Sequence, residues 1–150
     1  MTHPTNLSRP IIEALYTEAL VLADDVRAVF ALGTREPSQG ESTAVRLALS
    51  TEGLKTTTRM MHLLAWLLNQ RAFFSGEMTE NQVRNHGALP VDRPSDPLQL
   101  ELLEAETRQL IAETEALHRR IARLDVAWRN GFDMGSPARA LRHRIDSIYG

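Results

Sequence analysis

Apolar residues along this chain recur every three or four positions in three long segments, the spacing of amphipathic helices. No stretch alternates apolar and polar residues in the manner of a strand. The first segment runs from about Pro10 to Leu32. Ile12, Leu15, Ala19, Leu22, Val26 and Val29 form its stripe, Ser8 is the expected N-cap, Pro10 lies in the first turn, and Gly33 follows the end. The linker GTREPSQG then turns the chain. The second helix is expected from about Glu41 to Ser75, stopped by Gly76. Val45, Leu49, Thr56, Met60, Leu63, Leu67 and Phe74 mark its main face, with Gly53 inside the stripe. An interior glycine costs about 1 kcal/mol against alanine, which a close helix crossing would explain.

From Met60 onward the apolar arc of this second helix widens. Met61, Leu64 and Leu68 lie to one side of the main face, and Trp66 and Phe73 to the other. So wide an arc exceeds what one neighbouring helix covers. The excess predicts either a homodimer through helix 2 or cover by the connection that follows, residues 76–97. That connection contains a capping-box pair, Thr79 and Gln82, announcing one short helix. Pro90, Pro94 and Pro97 make the rest extended. The third long helix is expected from about Leu98 to Trp128. Its 3-4 seam is unbroken: Leu100, Leu103, Thr107, Leu110, Thr114, Leu117, Ile121, Leu124 and Trp128. Residues 98–115 hold five Glu and one Arg, and 116–129 hold four Arg and one Asp, an order that suits the helix dipole. The pairs Glu104–Arg108 and Glu115–Arg119 add i,i+4 support. Gly131 to Gly135 is expected to break this helix, and Ala138 to Ile148 to form a short tail helix bearing Arg139, Arg142 and Arg144.

These elements predict an all-α fold: an antiparallel three-helix bundle with two long helices and a short C-terminal helical tail. Residues 1–150 then form one domain, with a flexible N-terminus over 1–9, the connection at 76–97 and the tail at 131–150. Composition changes the picture little. Hydrophobic residues make up 43%, charged residues 24%, and the formal charge is −2, so no overall pull toward nucleic acid or anionic membrane arises. Cysteine is absent, which excludes disulfides, thiolate metal sites and a cysteine nucleophile. The N-terminal MTHPTNLSRP lacks the apolar core of a signal peptide, and the apolar run near Met60–Leu68 is too short to span a bilayer. A cytoplasmic protein with no membrane contact is the expectation.

Candidate chemistry is sparse. Glu115 and His118 form one Glu-x-x-His pair, whereas a di-iron bundle needs two such pairs and two further carboxylates. His3, His62, His86 and His143 are scattered. No GxxxxGK, GxGxxG or GxSxG motif occurs. The reading is therefore not an enzyme, with no catalytic residue, cofactor or metal. The candidate protein-interaction residues lie on helix 2, where Arg59, His62, Trp66, Asn69 and Phe73 form a mixed polar and aromatic stripe of the composition favoured at interfaces.

One run carries a family likeness. Residues 50–79, STEGLKTTTRMMHLLAWLLNQRAFFSGEMT, resemble the family named for the regulator of CtrA degradation. The likeness rests on Thr57-Thr58-Arg59-Met60-Met61, then Trp66-Leu67-Leu68, Gln70-Arg71-Ala72 and Gly76-Glu77-Met78-Thr79. It implies a small cytoplasmic helical bundle of alphaproteobacteria without enzymatic activity or cofactor. Such a protein self-associates and acts as an adaptor in the cell cycle, delivering cargo to the ClpXP protease alongside co-adaptors. Arg59, Trp66, Gln70 and Arg71 are then expected to contribute to binding. The alternative is a helical regulator that contacts nucleic acid through the basic C-terminal tail.

Overall fold

The computed structural model describes residues 8–31, 40–135 and 148, leaving out the side chains of 132–135. Among them the chain is all-helical, with five helices of which two are long. In order these are α1 (Arg9–Phe30), α2 (Thr43–Phe74), α3 (Glu80–His86), α4 (Pro97–Leu100) and α5 (Ala105–Gly135). At about 1.5 Å per residue, α2 and α5 each measure between about 45 and 50 Å. The expected N-terminal segment, the Gly33 cap and the tail helix fall largely or wholly outside the described residues.

Local signals set the helix ends. Ser8 caps α1 by its backbone, with Pro10 in the first turn. The Ser42 hydroxyl accepts from the Val45 amide at the start of α2. At the other end Gly76 takes φ +83°, which only glycine adopts at ease. The Gly76 and Glu77 amides then donate back to the Phe73 and Ala72 carbonyls, closing a Schellman motif. The capping box of α3 is complete, with Thr79 and Gln82 each satisfying the other's amide.

Burial follows the expected stripes with local corrections. Ile12, Leu15, Ala19, Leu22 and Val26 are buried, but Val29 is exposed and Phe30 takes its place. Thr107, Leu110, Thr114, Leu117, Ile121 and Trp128 are buried along α5, as is Leu103 in the turn before it, and Leu124 is half-buried. The third long helix starts later than expected. Asp96 caps α4, then amide bonds from Leu102 to Gln99 and from Leu103 to Leu100 make a tight turn, and α5 begins anew. It also runs through Gly131, which is buried and adopts ordinary helical geometry.

The larger correction concerns direction. Arg71 meets Glu13 and Phe30 meets Gly53, so α1 and α2 run antiparallel. Arg120 pairs with Glu18, and Leu117 lies beside Leu22, which makes α5 antiparallel to α1 as well. Between α2 and α5, however, Arg59 meets Thr114, Trp66 meets Asp125 and Phe73 meets Trp128. Those partners ascend together, so α2 and α5 are parallel. The expected antiparallel order fails because the long connection travels back along α2 before α5 begins. Gly53 is the close crossing its position implied: a Cβ there would sit 2.7 Å from the Phe30 ring.

Candidate protein-binding surface

The returning connection is held by polar side chains that α2 presents every seventh residue. Glu52 is fully buried, and its Oε1 accepts from the Asp96 amide and from Lys55 Nζ, each at 3.1 Å. Lys55 Nζ reaches on to the Pro94 carbonyl at 3.3 Å. Two turns later the buried Arg59 extends its guanidinium in three directions. Nε donates to both Asp92 oxygens at 2.9 and 2.8 Å, Nη2 to the Arg93 carbonyl at 3.1 Å, and Nη1 to Thr114 Oγ1 on α5 at 2.9 Å. Two turns further, the buried Trp66 donates from Nε1 to Asp125 Oδ1 at 2.9 Å. Asp125 also accepts from Arg129 Nε at 3.1 Å and from the Leu89 amide at 3.4 Å. Phe73 completes the row, edge-on to Trp128 at 5.6 Å.

Glu52, Arg59, Trp66 and Phe73 thus stitch α2 to the connection and to α5. Buried polar groups persist when they are hydrogen-bonded, and a buried charge needs a paired opposite. Arg59 with Asp92, and Glu52 with Lys55, satisfy that condition. The buried His118 meets the Pro90 carbonyl at 3.3 Å, which requires the proton on Nε2. Among the described residues no three His, Cys, Asp or Glu side chains gather as a metal site. Nor is any helix there long and apolar enough to cross a membrane.

The expected interaction stripe is therefore corrected in part. Arg59, Trp66 and Gln70 are buried and turned toward the chain's own interior. Arginine and tryptophan favour desolvated contacts, and here those contacts are internal rather than with a partner. Arg71 stays half-exposed, with Nε donating to Glu13 Oε1 at 2.9 Å and the guanidinium 4.3 Å from the centre of the Tyr16 ring. The Glu13 hydrogen bond holds the Arg71 guanidinium above its ordinary range, so it is charged at every working pH. His62 and Phe73 are half-buried.

The opposite side of α2 is bare among the described residues. Leu47, Leu54, Met61 and Leu68, also seven residues apart, are 60%, 61%, 64% and 47% exposed. Beside them a shallow apolar groove opens between α1 and α2, lined by Ala23, Arg27, Phe30, Thr57, Met61 and Leu64. Only Met61 and Leu68 of this row belonged to the expected wide arc. Leu47 and Leu54 were overlooked, although their seven-residue spacing was a usable signal.

A family model described as a protein of unknown function (DUF1465) matches residues 4–149, nearly the whole chain, and the chain belongs to that family. No curated protein and no solved structure matches it.

Proposed function

We propose, from the premise that this chain is a DUF1465 protein, that it is a cytoplasmic, non-enzymatic adaptor that helps deliver cell-cycle regulators to the ClpXP protease. The scaffold assigned to it is a three-helix bundle of α1, α2 and α5. Its partners are the protease complex, a co-adaptor, cargo and a second copy of the chain. The observation that carries the binding role is the bare apolar row on α2, since contiguous exposed apolar surface marks contact sites. The resemblance of residues 50–79 to the regulator of CtrA degradation family supplies the identity of the process. His62, Arg71 and Phe73 remain the candidates on that run with surface left for a partner. Tethering raises the effective concentration of cargo at the protease, so an adaptor of this kind works with modest affinities.

The test is a degradation assay with purified ClpXP, several cell-cycle substrates and a co-adaptor, with and without this protein. The proposal expects at least one substrate half-life to shorten on addition. Equal half-lives for every substrate would overturn it.

A further inference from the structure

The groove between α1 and α5 carries charge in a repeating order. Each wall presents a charged residue every seven positions: Glu18 and Asp25 on α1, and Glu106, Glu113 and Arg120 on α5. Seven residues are close to two helical turns, so each series keeps to one face. The two helices are antiparallel, and the series therefore meet in layers. In one layer Arg120 bridges to Glu18 at 2.8 Å and ties the walls together. Two turns along, Asp25 lines the groove from α1 and Glu113 from α5. The spacing of the bridge is repeated there, but its sign is not. Both residues are exposed, and neither has a cationic partner among the described residues. The Glu113 carboxylate is met only by the Gln109 amide, at 3.5 Å. Glu106, two turns further, is also exposed.

The floor between these carboxylates is apolar. Leu110 and Leu117 lie buried at its base. Ala28, Ala105 and Ala116 keep it open, since no larger side chain rises at their positions. Val21 and Val29 stand at the edge, 60% and 39% exposed. From Glu106 to Arg120 the groove follows α5 for about 21 Å at 1.5 Å per residue. An apolar floor between two acidic rims, straight for about four turns, is the shape that seats one further helix by its apolar face.

We infer that this groove receives a basic amphipathic helix of a partner protein, its apolar stripe on the floor and an arginine between Asp25 and Glu113. Two carboxylates across a gap oppose each other, and a guanidinium between them makes charge-assisted hydrogen bonds to both. The incoming arginine completes its layer as Arg120 completes the one before. Among the described residues none from α2 lines the groove. The inference therefore concerns a surface separate from the apolar row and holds whether or not the chain serves a protease. The basic tail helix expected over residues 138–148 stops short of this layer. Glu113 precedes Gly135 by 22 residues, about 33 Å of helix, whereas an 11-residue helix is about 16 Å long.

The test titrates the full-length protein into a fluorescein-labelled, amidated peptide of about 15 residues and reads fluorescence anisotropy. The peptide has leucines in 3-4 steps between two rows of arginine, and a second peptide carries glutamate in place of every arginine. Saturable binding of the arginine peptide is expected, and none of the glutamate peptide. Glu113→Arg is expected to keep its helices by circular dichroism, because an arginine there pairs with Asp25 as Arg120 pairs with Glu18. It should weaken binding roughly tenfold or more. Ala28→Trp fills the floor from an exposed position without changing charge, and should weaken binding by a similar factor. Glu77→Arg makes the same change of net charge at the far end of α2, and should leave binding within about threefold. No saturable binding up to about 1 mM peptide would overturn the inference. Equal weakening by Glu77→Arg and Glu113→Arg would overturn it by showing attraction to net charge alone. Binding indifferent to both Glu113→Arg and Ala28→Trp would overturn it by placing the peptide on another face.

Discussion

Two rows of side chains run along α2, each with a residue every two turns. Glu52, Arg59, Trp66 and Phe73 face the returning connection and α5, and the first three are buried. Leu47, Leu54, Met61 and Leu68 face outward and are the more apolar of the two. Between these two rows the ordinary arrangement, in which polar residues face water and apolar residues the core, is inverted, while Met60, Leu63 and Leu67 still bury in the core. The lesson is that the inner row needs specific partners because the connection offers it backbone carbonyls, amides and carboxylates. The outer row is exposed among the described residues. One helix thus carries a row of internal contacts and an exposed apolar row on different sides, which is why its apolar arc is too wide for a single neighbour.

Breaking the inner row should have the largest effects. Trp66→Ala is expected to lower stability by about 3–5 kcal/mol, because it opens a cavity and deprives Asp125 of a donor. Arg59→Ala should cost a comparable amount, about 3–5 kcal/mol, by leaving Asp92 and Thr114 without the guanidinium between them. Urea titration of each variant at low protein concentration measures both, and losses under about 1 kcal/mol would show that the row does not hold the connection. Gly53→Ala should destabilise by up to about 2 kcal/mol. The clash with Phe30 costs about 1–3 kcal/mol, partly offset by alanine's helix propensity. A stabilised variant in the same titration would contradict the close crossing. Smallest is Leu54→Ser on the outer row, expected within about 0.5 kcal/mol in dilute solution, where the chain stands alone. A large loss there would mean that the row packs inside the chain after all.

Much of the architecture was legible before any coordinates. The α1 stripe, the Thr79–Gln82 box, the Gly76 stop and the α5 seam each rest on local periodicity or capping, which need no knowledge of distant residues. Gly53 announced a close approach without naming Phe30. The direction of α5 was not legible. It depends on the path of residues 87–96, whose contacts are carboxylates and backbone groups that leave no periodic trace in the sequence. The missed turn before α5 has the same character, since neither proline nor glycine punctuates residues 98–104. At the candidate site, Arg59 and Trp66 are expected at a surface for partners, but both are buried in contacts within the chain. Their partners Asp92 and Asp125 passed unnoticed, because an isolated aspartate in a polar context reads as solvated. A charge at a core-facing position such as Glu52 or Arg59 is the one signal that could have demanded them.

The separation of the two rows is tested most directly by the concentration dependence of the thermal midpoint, measured side by side for the wild type and Leu54→Glu. Binding between folded copies stabilises them by mass action. The wild-type midpoint is expected to rise with protein concentration, while that of Leu54→Glu stays constant and coincides with the wild type at high dilution. Midpoints that are equally flat, or that rise equally in both proteins, would contradict the self-association proposed through the outer row.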